Sequence, residues 1–295
     1  MDAPPPAIAR GPFVGTSGFS YPDWVGPVYP KGRGEHPLAF LARYVDLVEV
    51  NTSHYRIPAP SLAAEWVRIV RDLPRFRFTA KLWRGFTHER GVATAADVAA
   101  QRAFFDALAQ GDRLLGVLAQ FPPWFRASSA TEAAIDEVAR AFEGYPLAVE
   151  MRDVSWDRDD VRARFAERGL SWVVADLLPG PRSVEPRVRR TAPLAYVRFH
   201  GRSAAWYEPG VDRDRRYDHL YAPEDLAPWV ERLRRLVEED ERVVVAFNNH
   251  PRGQALANAL QMAAAWSGKK VAAPESLLAA YPRLAEVARG EGLFG

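Results

Sequence analysis

Charged and amide side chains recur in this sequence where short apolar, β-branched runs give out. The run from Leu47 ends in Glu49 and Asn51, the run from Phe78 in Lys81, and the run from Leu114 in Gln120. The run from Leu147 ends in Glu150 and Arg152, that from Ser171 in Asp176, that from Ala195 in Arg198 and His200, and that from Arg242 in Asn248 and Asn249. Polar residues two apart share one face of a strand. Carboxylates beside a histidine are acid/base chemistry, because imidazole titrates near neutrality. His200 is therefore the expected general acid/base, oriented by Glu150 or Asp176, with Glu49 as a further catalytic carboxylate. Lys81, Arg152 and Arg198, with the amides of Asn51, Gln120, Asn248 and Asn249, suit a phosphate, a carboxylate or an acidic sugar. These charges nearly balance. The alternative is an ion-pair network that plugs the fold, because a buried unpaired charge costs several kcal/mol.

A divalent metal is the less favoured reading. Glu49, Glu150, Asp176 and His200 would be its ligands, but His200 is the one histidine that ends a run, and three cations share the rim. No resident metal or organic cofactor is expected. The chain has no cysteine, which removes disulfides, thiolate metal sites and a cysteine nucleophile. The segment Asn249-His-Pro-Arg-Gly253 opens a helical pattern, so its backbone N–H groups are a further expected anion site. The stretches 80–91 and 201–221 mix aromatics with arginine, a combination that can stack on bases. Asp212, Asp214 and Asp218 neutralise the second stretch locally, which favours a packed lid. His54, His219 and His250 read as ordinary loop histidines.

Eight apolar runs must position these groups: 12–17, 46–51, 77–82, 114–121, 146–152, 171–176, 195–200 and 242–248. Helical stripes lie between most of them, such as Leu62, Trp66, Ile69, Val70 and Leu73, or Leu226, Trp229, Val230, Leu233 and Leu236. Ser129 with Glu132, and Thr94 with Asp97, mark helix starts as capping boxes. Strands alternating with helices predict an α/β fold, a single-domain (β/α)8 TIM-type barrel, whose polar strand ends gather at one rim. Leu177–Pro193 is rich in proline and arginine and has no stripe, so the helix after the sixth strand is expected to be irregular or missing. The domain is expected over 11–289, with flexible tails at 1–10 and 290–295.

The chain has 295 residues, of which 48% are hydrophobic, and a formal net charge of +2. Such a composition excludes intrinsic disorder as the main state, and the charge is too small to argue for nucleic acid. No apolar run approaches a membrane span. The N-terminus lacks a basic region followed by an apolar one, so a cytoplasmic location is expected. The expected partner is a small anionic molecule, bound by a hydrolase, an isomerase or a binding protein. Nucleic-acid binding or processing, and a non-enzymatic protein-interaction scaffold, are the alternatives.

Seven motifs occur in order: Gly15-Thr-Ser-Gly-Phe-Ser-Tyr-Pro-Asp-Trp24, Val48-Glu-Val-Asn-Thr-Ser-His-Tyr-Arg56, Lys81 with Thr87-His88, Gln120-Phe-Pro-Pro123, Val149-Glu-Met-Arg-Asp-Val-Ser-Trp156, Tyr196-Val-Arg-Phe-His-Gly201, and Phe247-Asn-Asn249 with 253–258. Together they resemble the YecE-like family, domain of unknown function 72. The resemblance implies a TIM barrel and leaves the reaction open. The family-patterned positions include Glu49, Asn51, Lys81, Gln120, Glu150, Arg152, Asp176, Arg198, His200 and Asn248. Phe19 and His54 stand where Trp and Phe are usual, and both keep a ring.

Overall fold

The computed structural model describes residues 11–290, apart from 33, 209, 240 and 241. The expected tails at 1–10 and 291–295 lie outside the described residues. All eight apolar runs form strands: β1 (Phe13–Ser17), β2 (Leu47–Val50), β3 (Arg77–Lys81), β4 (Leu114–Gln120), β5 (Leu147–Glu150), β6 (Ser171–Asp176), β7 (Leu194–Phe199) and β8 (Arg242–Phe247). Each pairs in parallel with its neighbours in chain order, and β1 closes against β8 in register Phe13 to Val244. Closure removes the exposed edges that an open sheet of such apolar strands would leave. The chain is thus an α/β barrel of the TIM type.

The helices are α1 (Pro37–Leu41), α2 (Pro60–Ile69), α3 (Ala95–Ala109), α4 (Ser129–Ala141), α5 (Asp159–Glu167), α6 (Arg213–Tyr217), α7 (Pro223–Glu239), α8 (Gln254–Ser267) and α9 (Glu275–Ala280). The expected apolar stripe of α7 is buried at Leu226, Trp229, Val230, Leu233 and Leu236. Thr94 and Asp97 close a capping box at α3. The box at α4 is Ser128 with Thr131, one residue before the expected pair. Glu132 is not free to cap because it bonds Arg164 at 2.8 Å. No helix forms between β6 and β7, as the proline content of that stretch requires. After α8 a small parallel pair, β9 (Val271–Ala273) and β10 (Ala288–Gly290), adds a feature that periodicity does not reveal. Gly290, assigned above to the tail, belongs to that pair. No helix among the described residues is long and apolar enough to cross a membrane.

Period-two alternation divides the strand residues into two cores. Val48, Val50, Ala80, Val149, Val197 and Phe247 pack outward against the helices. Phe13, Leu47, Leu118, Ala148, Val173, Tyr196, Val244 and Ala246 fill the lower barrel. Gly15 lets β1 and β2 approach, since a Cβ there would sit 1.8 Å from the Leu47 carbonyl oxygen.

Candidate functional site

The inward register that carries Leu47, Ala148 and Tyr196 continues to Glu49 and Asn51, to Glu150 and Arg152, and to Arg198 and His200. Arg198 lies at the centre and is fully buried. Its Nε and Nη2 donate to the two oxygens of Glu49 at 2.9 and 2.6 Å, and its Nη1 donates to Glu150 at 2.5 Å. Glu49 also accepts from Tyr196 Oη at 2.6 Å and from Ser17 Oγ. Thr79 lies 2.7 Å from the same tyrosine oxygen, and Asn51 Nδ2 donates to Ser17 Oγ at 2.7 Å. Arg152 Nη2 pairs with Glu150 at 2.5 Å. Gln120 accepts a longer bond from Arg198 at 3.4 Å.

This layer is an internally balanced ion-pair network, the alternative weighed above for these charges. Burial alone would raise the Glu49 carboxyl, but the Arg198 guanidinium and the Lys81 ammonium outweigh it and hold the group below the ordinary range. Burial opposes the ionised form of Glu150 as well, and Arg152 and Arg198 hold it well below that range. The two carboxylates in turn raise Arg198 against the effect of burial. Ser17, Thr79 and Tyr196 were not anticipated. The signal for Tyr196 was available, since it lies two residues before Arg198.

His200 differs from its expected role. Burial, and then the neighbouring Arg152, push its imidazole down to about 3. The ring is neutral at physiological pH and is not poised for proton transfer there. Arg152 Nη2 lies 3.0 Å from Nε2, Glu150 Oε1, the expected orienting carboxylate, lies 3.3 Å from the same nitrogen, and Asn248 Nδ2 lies 3.0 Å from Nδ1. A neutral ring carries one proton, so it accepts either from Arg152 at Nε2 or from Asn248 Nδ2 at Nδ1, and in the second case its Nε2 proton faces Glu150 Oε1 at 3.3 Å. Above it sits the lid that the mixed aromatic and basic stretch predicted. Trp206 and Tyr217 stand over the imidazole with ring centroids at 6.1 and 6.2 Å, and Arg152 lies against Trp206.

Asp176 does not orient His200. Its strand residue falls on the outward register, where it accepts from Arg202 Nε and Nη2 at 2.8 and 2.6 Å and from Tyr221 Oη at 2.8 Å. Asn249 is outward for the same reason, and its Nδ2 donates to His219 O at 2.8 Å and Asn258 Oδ1 at 2.7 Å. It ties β8 to α8 and does not reach the inner face. The expected anion site before α8 is also filled, because the backbone N–H of Arg252 donates to the Asp23 carboxylate at 2.6 Å. Glu49, Glu150, Asp176 and His200 therefore do not converge as a ligand set, and no group of three or more potential metal-binding side chains comes together among the described residues.

The open space lies beside the network. A cleft of about 170 Å3 is bounded by the ends of β1, β2, β3 and β8 and by the lid. Of the expected site residues, Asn51, Lys81 and Asn248 line it. Phe19, Tyr21, His54, Tyr55, Tyr217 and His250 complete its walls. Tyr21 stacks on His250 with centroids 4.5 Å apart and a 2° angle between planes. His54 and His250, read above as ordinary loop histidines, thus belong to the cleft. Burial and then Lys81 push His54 down to about 3, so it faces the cleft as a neutral ring.

Lys81 is 8% exposed, and its Nζ makes no hydrogen bond and no ion pair among the described residues. Burial, then Arg198, push it down to about 7, although Glu49 and Glu150 pull the other way. Each of the two glutamates that face it is already bonded to arginine. Two negative and two positive charges cancel in the network, so an ammonium on Lys81 leaves the site one positive charge in excess.

Comparison with known proteins agrees with this architecture. The family model described as "Protein of unknown function DUF72" matches residues 13–280. The chain belongs to the DUF72 family. It is 28% identical over 272 residues to the UPF0759 protein YunF of Bacillus subtilis strain 168, covering 85% of this chain and 93% of that protein. A solved DUF72 family protein from Thermotoga maritima superposes with a TM-score of 0.75 at 34% identity, over 86% of this chain and 98% of that one. One from Enterococcus faecalis superposes with a TM-score of 0.77 at 26% identity, over 86% and 95%. The DUF72 membership leaves the chemistry to be argued from the cleft.

Proposed function

We propose that this DUF72 protein binds a small anionic molecule in the cleft beside Lys81, as an enzyme of the isomerase or hydrolase type or as a binding protein. The observation that carries the reading is the Lys81 ammonium, buried in the cleft wall with no counter-charge bonded to it. A carboxylate or phosphate oxygen would supply that charge and a charge-assisted hydrogen bond. Arg152 and Arg198 act indirectly, by holding the glutamates that would otherwise neutralise Lys81. The cleft is smaller than the ~300 Å3 at which drug-sized pockets begin, so the ligand is a small molecule or enters by its head. An amine that titrates near 7 also suits proton transfer at neutral pH, and it replaces His200 as the expected acid/base group. The reading invokes no resident metal or organic cofactor.

The test is thermal unfolding of the wild type and Lys81→Met against acetate, lactate, phosphate, sugar phosphates and sugar acids. A ligand at ~100 times its dissociation constant adds ~2.7 kcal/mol. At ~2.1 cal/mol/K per residue, a chain of 295 residues should then melt about 4 °C higher. At least one anion should do this for the wild type and not for Lys81→Met. Equal shifts in both proteins, or none in either, would refute the reading.

A further inference from the structure

A second residue lining the cleft carries an unsatisfied group. Asn51 Oδ1 is buried without a hydrogen-bond partner among the described residues. Its orientation is fixed by the network: Ser17 Oγ gives its proton to Glu49 and so must accept from Asn51 Nδ2, which turns Oδ1 away from that pair. Lys81 and Asn51 thus both line the cleft, the first an amine without an acceptor and the second carrying a buried acceptor without a donor, and they do not bond each other. A simple anion would satisfy the first and leave the second unpaired. A ligand that answers both must bring a negative group and also a hydroxyl or N–H, either its own or one formed on it in the cleft.

We propose that the ligand is an oxo acid, a small molecule with an aldehyde or ketone beside its carboxylate, and that Lys81 Nζ condenses with the carbonyl to form an imine. The proposal rests on the reading of the cleft as an anion site. The Nζ lone pair attacks the carbonyl carbon, and the π electrons move to the oxygen. That oxygen takes one proton from the nitrogen and one from solution and leaves as water, while the nitrogen lone pair forms the C=N bond. The product is an iminium that keeps one N–H. The carbinolamine hydroxyl, formed from the ligand's carbonyl oxygen, is a donor of the kind Asn51 Oδ1 lacks. The iminium restores the positive charge that the ligand carboxylate balances.

Three features favour attack by this amine. It is fixed at the end of a barrel strand. Its lone pair is not engaged by any donor among the described residues. Burial and the nearby guanidiniums keep much of it unprotonated near pH 7. The chain's other lysines, Lys31, Lys269 and Lys270, are exposed. The fall of Lys81 from 10.5 to about 7 raises its own free-amine fraction at pH 7 by ~10³-fold.

The experiment treats the full chain with pyruvate and then with sodium borohydride, whose hydride reduces the imine carbon to a stable secondary amine. Peptide mass mapping then reads all four lysines separately. Lys81 should be labelled and the three exposed lysines spared, with the rate falling about tenfold per pH unit on the acid side of 7. Lactate, which keeps the carboxylate and lacks the carbonyl, should slow the labelling and leave no mark itself. Labelling spread evenly over the four lysines would overturn the proposal, as would acetaldehyde labelling Lys81 as fast as pyruvate. If neither pyruvate nor glyoxylate labels Lys81 between pH 6 and pH 9 while lactate still stabilises the wild type and not Lys81→Met, the imine is wrong and the anion site stands. If lactate also fails along with every other anion tested, both fall.

Discussion

Replacing Lys81 by methionine should make the protein more stable at neutral pH, by an amount that shrinks as pH rises. Methionine keeps the unbranched shape and removes the charge. Burial and Arg198 lower the Lys81 amine from 10.5 to about 7. Between those values the unfolded chain binds more protons than the folded one, so wild-type stability rises with pH across that window. Each pH unit of difference corresponds to about 1.4 kcal/mol. The slope is half as steep near 7, where the folded lysine is itself half protonated, so the wild type should recover about 2 kcal/mol between pH 7 and pH 9. Methionine does not titrate, and Glu49 and Glu150 stay ionised at these pH values because both are held low. Urea unfolding of both proteins at pH 7 and pH 9 measures the effect as a change in the difference between their midpoints, with similar slopes expected for both proteins. A lead of Lys81→Met that does not change with pH, or a wild type more stable than the variant at pH 7, would show that Lys81 is paired or solvated. The anion reading would lose its support with it.

Glu49→Gln should lower the thermal midpoint by about 5–8 °C, because the amide turns an N–H₂ toward donors that now meet a carboxylate, and breaking such a buried pair costs ~3–5 kcal/mol. The deficit should shrink as pH falls below about 4.5 toward the lowered folded value, since a depressed carboxyl contributes stability only above it; a drop under about 1 °C at pH 7 would refute the bonding described for Arg198. Trp206→Ala should open the lid over His200 and let water reach a ring now held at about 3. An NMR titration of the imidazole should then show a midpoint raised by about one unit or more, and an unmoved midpoint would mean that something other than the lid excludes water.

The barrel was legible because its strands are bounded by turn residues and its helices carry clear stripes. Alternation alone also places Glu49, Glu150, Arg198 and His200 on one face, since apolar neighbours such as Val48, Val149 and Val197 mark the other. The same logic failed for Asp176. Val173, Val174 and Ala175 are apolar on both faces, as strands of parallel sheets often are, so nothing local says which way the aspartate turns. Asn248 and Asn249 are adjacent, and only one can face inward. The register of Val244 and Ala246 decides for Asn248. Pairing across the barrel was not legible at all. Arg198 reaches Glu49 on β2 and Glu150 on β5, and no spacing along the chain reports that. For the same reason the sequence could not single out Lys81 from the other two cations.

On the proposed reading, the ion-pair plug and the ligand pocket first offered as alternatives for these charges occupy adjacent layers. Arg198 is bound to both glutamates and is inaccessible, so the plug itself recognises nothing. Its effect on Lys81 is nonetheless decisive. Were either glutamate free of arginine, it could take the lysine as partner, raise its pKa and close the cleft as a simple salt bridge. Because each glutamate is engaged by a guanidinium, the lysine keeps both its burial and its lack of a bonded partner. An unpartnered buried amine is costly to the fold, and an anion that pairs with it recovers part of that cost on binding, less the anion's own desolvation. The stabilisation expected of Lys81→Met and the affinity expected for an anion therefore come from one source, and the two should be lost together in any variant that gives Lys81 a carboxylate partner.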